Sequence, residues 1–198
     1  MSKALTIILL TLFIGCHLSV YGQFKKGQYY THNGEKVEGL LKYVIGGGNG
    51  RKTEGHNYIY FKKYKKIKKK DQIKLTTNEI KSFVIEQDSF AIVKNFSINS
   101  TYYQKDFARV LESGRINFYI HNTSMSTHTP NGMMKQTRSV QLIEKNGRVD
   151  RLKLKSFKSL MPGYVSDCPE LSEKVNSRKL WYDKVRIIIQ VYNQHCEK

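Results

Sequence analysis

The chain has 198 residues, with 34 Lys and Arg against 16 Asp and Glu, a formal charge of +18 and only three cysteines. That length suits one domain with room for a real core, since a chain of ~150 residues buries about two thirds of its unfolded surface. No apolar run approaches the roughly 20 residues a bilayer-spanning helix needs, which excludes that class, while the charge excess favours anionic partners without bearing on fold.

The first element is an export signal. Lys3 precedes the apolar run Ala4 to Ile14, and Val20-Tyr21-Gly22 puts small side chains at the first and third places before Gln23. This is the pattern of a secretory signal peptide. Phe13-Ile14-Gly15-Cys16 also resembles a lipobox, in which Cys16 would become the lipidated first residue, although Phe13 stands where such boxes carry leucine. Cleavage after Gly22 is the favoured reading and lipidation at Cys16 the alternative. It leaves 176 residues carrying +17, since Lys3 is the one charged side chain removed.

From Gly27 onwards the pattern is that of strands and turns. Gln28 to His32 and Lys36 to Ile45 flank Asn33-Gly34, the strongest short hairpin signal, because both central residues of a type I′ turn need positive φ. Gly46 to Gly50 then opens a flexible loop running to about Gly55. Tyr58 to Phe61 resumes as a strand, and Ile80 to Ile85 with Phe90 to Phe96 form a second hairpin around Gln87-Asp88. Arg115 to His121 is a further strand, and Asn122 to Lys135, rich in Ser, Thr and Asn, is expected as a long polar loop. Thr137 to Glu144 and Arg148 to Leu154 make a third hairpin around Asn146-Gly147.

After Lys155 the apolar period changes towards 3.6. Phe157, Leu160, Met161, Tyr164 and Val165 share a helical face that Pro162-Gly163 should kink or split. Asp167 is placed to cap a short helix starting near Pro169, and Trp181, Val185, Ile188, Ile189 and Tyr192 form the stripe of a last helix. The expected class is α+β: an antiparallel sheet or partly closed barrel followed by two or three C-terminal helices. The domain reading is a signal peptide over 1–22 and one domain over 23–198, mainly β over 23–155 and helical over 156–198.

Three stretches carry a resemblance. Gly27-x-x-x-Thr31-x-x-Gly34-Glu35-x-x-x-Gly39-x-Leu41, then Asn78-Glu79-Ile80-Lys81-Ser82-Phe83, then Asp167-Cys168-Pro169-Glu170-Leu171 ahead of an amphipathic helix resemble a group of exported proteins of unknown function in Bacteroidota. The resemblance implies a Gram-negative envelope or secreted location. It brings no activity and no catalytic residues.

Cys168 and Cys196 survive cleavage in a compartment where disulfides form, and their bridge would contribute about 3 kcal/mol in the chain-entropy model. The densest local feature is Phe61-Lys62-Lys63-Tyr64-Lys65-Lys66-Ile67-Lys68-Lys69-Lys70. Ammonium groups displace counterions from phosphates while rings stack or pack, so Lys62, Lys63, Lys65, Lys66, Lys68, Lys69 and Lys70 are the candidate anion-binding residues. Their bland counterpart is a solvated loop that keeps a sheet edge soluble. Outside the cytoplasm the anionic partner would be lipopolysaccharide, anionic lipid or polysaccharide.

Catalytic signatures are thin. The histidines form no HExxH array, although His121 and His128 flank the polar loop, and no GxSxG elbow occurs. Glu35, Glu38, Asp106 and Glu112 sit where turn, salt-bridge or capping roles suffice, and no metal or cofactor is expected. The leading reading is a non-enzymatic binding module of the envelope. An enzyme whose site forms only in three dimensions and a structural or assembly component remain the alternatives, and oligomeric state stays open.

Overall fold

The computed structural model describes residues 23–46, 53–54, 56–63, 71–129 and 132–196. The signal segment with Cys16, most of the Gly46 to Gly50 run, and lysines 65, 66 and 68–70 lie outside the described residues. The chain is α+β, mostly antiparallel sheet followed by three helices.

The strands are β1 (Lys25–Thr31), β2 (Lys36–Val44), β3 (Thr53–Glu54), β4 (Tyr58–Lys62), β5 (Ile73–Leu75), β6 (Ile80–Ile85), β7 (Asp88–Ile98), β8 (Thr101–Glu112), β9 (Ile116–Thr129), β10 (Gly132–Lys145) and β11 (Arg148–Leu152). Their order in the sheet is β11-β10-β9-β8-β7-β6-β1-β2-β4-β5, every neighbouring pair antiparallel, with β3 running parallel on β8. The helices are α1 (Leu154–Tyr164), α2 (Pro169–Asn176) and α3 (Val185–His195), the last preceded by a 3₁₀ turn over Tyr182–Lys184.

Alternation decides what each strand buries. On β2, Leu41 and Tyr43 point inwards and meet Ile59 and Phe61 of β4, Phe83 of β6 and Phe90 of β7 in one core. A second core lies where β7 to β11 curl together, with Phe96, Tyr103, Tyr119, Val140 and Leu142 facing one another. Arg151 of β11 reaches across to Asn99 at the end of β7, 2.7 Å away. The helices cover the other face of β9 and β10, where Ile116, Phe118 and Ile143 meet Phe157, Met161, Ile188 and Ile189.

Several expectations change. Asn146 and Gly147 both take positive φ, 53° and 78°, as a type I′ turn requires, whereas at Asn33-Gly34 only Gly34 does, at 86°. There the Gly34 amide donates to the Thr31 carbonyl, 3.0 Å, inside a longer loop. The polar stretch expected as a loop is strand: residues 122–129 pair in register with 132–139 to extend the β9–β10 ladder. Serine and threonine marked it as loop, but a ladder satisfies their backbone groups as well as water does. Pro162 does not split α1, because it stands two residues before the helix end and costs only one late carbonyl its partner. Asp167 does not cap α2; Cys168 is the N-cap residue and makes no side-chain cap bond. The Asp167 carboxylate turns instead to the sheet, accepting from Arg115 Nη2 (2.9 Å), Lys145 Nζ (2.8 Å) and Tyr192 Oη (2.7 Å).

Candidate anion-binding face

The hairpin pattern that buries Leu41, Ile59 and Phe61 necessarily turns the intervening residues outwards. On β2 these are Leu40 and Lys42, on β4 Tyr58, Tyr60 and Lys62, and on β5 Lys74, all half-buried or exposed. The register places Lys42, Tyr60 and Lys74 side by side across three strands, and Lys26, Leu40 and Lys62 side by side across β1, β2 and β4. Basic and apolar side chains thus interleave on one flat surface at the β5 edge.

Aromatic rings hold two of these cations. Lys74 Nζ lies 4.3 Å from the centre of the Tyr58 ring, and Lys62 Nζ lies 4.2 Å from that of Phe24. Such contacts orient an ammonium group without neutralising it. Tyr58 meets Tyr60 edge to face at 5.4 Å, and its hydroxyl pKa is pushed up by burial and then by the hydrogen bond with Tyr60. The Tyr58 phenol therefore stays neutral at physiological pH.

Carboxylates border the face but are engaged. Glu38 pairs with Lys36 at 2.5 Å, which holds its carboxyl below the usual range, and Glu86 pairs with Lys25 at 2.7 Å. Between them a shallow trough of about 480 Å³ opens over Gly27 and Gly39, which stand opposite each other in the β1–β2 ladder. A side chain at Gly39 would strike the Phe61 ring, its Cβ falling 2.4 Å from Cε2, so the glycine lets that ring lie flat beneath the strand.

Of the lysines named from sequence, Lys62 closes β4 on this face and Lys63 follows it, exposed. Lys65, Lys66, Lys68, Lys69 and Lys70 lie outside the described residues. In chain order they fall between β4 and β5. Lys26, Lys42, Lys74, Tyr58 and Tyr60 escaped sequence reading. The alternation Tyr58-Ile59-Tyr60-Phe61-Lys62 held the signal, since its even positions are the polar-tipped ones.

The strongest buried polar cluster lies elsewhere, where β8 and β9 part company. Asp106 and His121 are both fully buried, His121 Nε2 donating to Asp106 Oδ2 at 2.9 Å. Asn57 fills the split: its amide and that of Phe107 donate to Asp106 Oδ1 (3.0 and 2.8 Å), and its Nδ2 donates to the Asn122 carbonyl (2.9 Å). Its Oδ1 accepts from the Gly46 amide at 3.1 Å. His121 Nδ1 and His56 Nε2 have no hydrogen-bond partner among the described residues, and His121 packs on Phe96 and Tyr103. His121 and His128 sit on one strand, seven residues apart. With both members at 0% exposure, no substrate reaches the Asp106–His121 pair. It satisfies a gap in the sheet.

Among the described residues no three His, Cys, Asp or Glu side chains could share a metal ion. No helix there is long and apolar enough to cross a membrane. Cys168 and Cys196 stand at disulfide distance, with sulfurs 2.02 Å and Cα atoms 5.4 Å apart. Comparison with known proteins gives no match to any family model, curated protein or solved structure.

Proposed function

We propose that this chain is an exported, non-enzymatic binding module of a bacterial envelope that holds an anionic partner on the outward face of β1, β2, β4 and β5. The observation that carries the reading is the pair of cross-strand rows, Lys26-Leu40-Lys62 and Lys42-Tyr60-Lys74, which put four lysines on one surface. Ammonium groups near rings bind polyanions by counterion release with an apolar contribution. Export is supported by the signal-like first 22 residues, by a cysteine pair at disulfide distance and by the resemblance to exported Bacteroidota proteins. The enclosure of the second core by β7 to β11, with Arg151 of β11 reaching Asn99 beside β7, supports a partly closed barrel as the scaffold.

Retention on a heparin or lipopolysaccharide column, eluted with salt, tests this. Lys42→Gln, Lys62→Gln and Lys74→Gln together should move elution to clearly lower salt, while Lys155→Gln, Lys158→Gln and Lys179→Gln together on the helical side should move it little. Equal retention of the two variants would sink the proposal, because equal charge lost from the binding face and from elsewhere must then count alike.

A further inference from the structure

The layout of the face selects among anionic partners, and this selection rests on the binding reading above. Strands lie about 4.8 Å apart, so the two lysines of each row are rooted about 9.6 Å apart with one apolar side chain between them. Successive rows lie two residues apart along β2 and β4, about 6.8 Å. The second row is displaced from the first by one strand, so the four cations mark a parallelogram, with Leu40 and Tyr60 each standing between the two lysines of its own row.

Three polyanion chemistries fit such a surface unequally. A single nucleic acid strand carries one phosphate per nucleotide, closer together than the two lysines of a row. A bilayer favours apolar side chains that protrude to enter it, yet Leu40 and Tyr60 are half-buried in the face. A polysaccharide with one acid group per disaccharide spaces its charges by about two rings, which matches the wider pitch. Its rings also present apolar C–H faces that pack on a phenol.

We infer that the occupant is an acidic polysaccharide crossing the strands, with successive acid groups on Lys42 and Lys74 and the intervening sugar ring over Tyr60. The row Lys26-Leu40-Lys62 offers the same arrangement to a second stretch of chain. Tyr58 acts as a positioning residue: it holds Lys74 by its ring and sets the Tyr60 ring by edge contact. The Lys36–Glu38 and Lys25–Glu86 pairs bound the site on the trough side, where each lysine is already matched by a carboxylate and adds little attraction for a polyanion.

The test compares three probes against the exported protein at equal salt: a hyaluronan oligosaccharide, with one carboxylate per disaccharide, an oligo-dT, and vesicles containing phosphatidylglycerol. The oligosaccharide should bind most tightly. Tyr60→Ala should weaken it by about tenfold while Tyr60→Phe keeps it, as loss and retention of a stacking surface require. Lys74→Gln, at an exposed position, should weaken it by several-fold and flatten its salt dependence. If oligo-dT or vesicles bind as tightly and respond to Tyr60→Ala in the same measure, the polysaccharide inference falls and the broader polyanion reading stands. If none of the three binds, both fall.

Discussion

Asn57 joins a loop to two strands that have separated: its side chain donates to the Phe107 and Asn122 carbonyls of those strands and accepts from the Gly46 amide. Asn57→Leu keeps the volume and removes every one of these bonds, so urea unfolding should show a loss of about 2–4 kcal/mol, the cost of stranding several buried polar groups beside a carboxylate. His56, next to this cluster, has its pKa held below 6.5 mainly by burial; the charge of Asp106 opposes the shift and His121 adds to it. A lowered histidine pKa means that the folded chain takes up its proton less readily than the unfolded chain. Stability from this residue is therefore complete above about pH 6.5 and declines as pH falls below it. Urea midpoints between pH 5 and 8 should fall on acidification, and His56→Gln should remove that share of the slope.

At the scale of elements, the helical layer is fixed to the sheet by side chains that mimic backbone. Asn193 of α3 accepts from the Ile116 amide (2.9 Å) and donates to its carbonyl (2.8 Å), standing in for a neighbouring strand. Gly114 makes the approach possible, since a Cβ there would lie 2.5 Å from Asn193. Gly114→Ala should cost about 1–3 kcal/mol in thermal or urea unfolding, whereas Gly163→Ala in α1, with open space around it, should be neutral or stabilising by up to about 1 kcal/mol. Asp167 ties the α1–α2 connection to β9, β10 and α3. Burial opposes its ionisation, but hydrogen bonds from Lys145 and Tyr192 and the Lys145 charge bring its pKa down to about 2. A lowered carboxylate contributes stability above its ordinary 3.8 and loses it as pH falls towards 2, so Asp167→Asn should be less stable at pH 7 and converge with the parent near pH 2. The elements most legible in sequence were those with local signals: the Asn146-Gly147 turn and the stripe Val185, Ile188, Ile189, Tyr192, all four buried. Strand β8 went unread because its turn, Asn99-Ser100, has no glycine, although Asn99 takes φ 57°, and because buried Asp106 breaks its apolar alternation. The role of Asp167 was equally hidden, since its partners lie 22 or more residues away in sequence.

For the molecule as a whole, the +18 charge is uneven in consequence. On the helical side three cations are consumed internally, Arg115 and Lys145 on Asp167 and Arg186 on Glu112. On the outward face of β2, β4 and β5, Lys62 and Lys74 lean on the rings of Phe24 and Tyr58, contacts that orient an ammonium group without neutralising it. Sequence reading singled out the lysine run, whereas the proposed binding surface depends on pairing register, which brings Lys26 and Lys42 to Lys62 and Lys74 from distant positions. Lysine acetylation footprinting, read by mass spectrometry with and without an anionic polysaccharide, tests this most directly. Protection concentrated at Lys26, Lys42, Lys62 and Lys74, with Lys158 and Lys179 labelled as before, is the predicted result; protection spread evenly over the chain, or confined to the helical side, would contradict it.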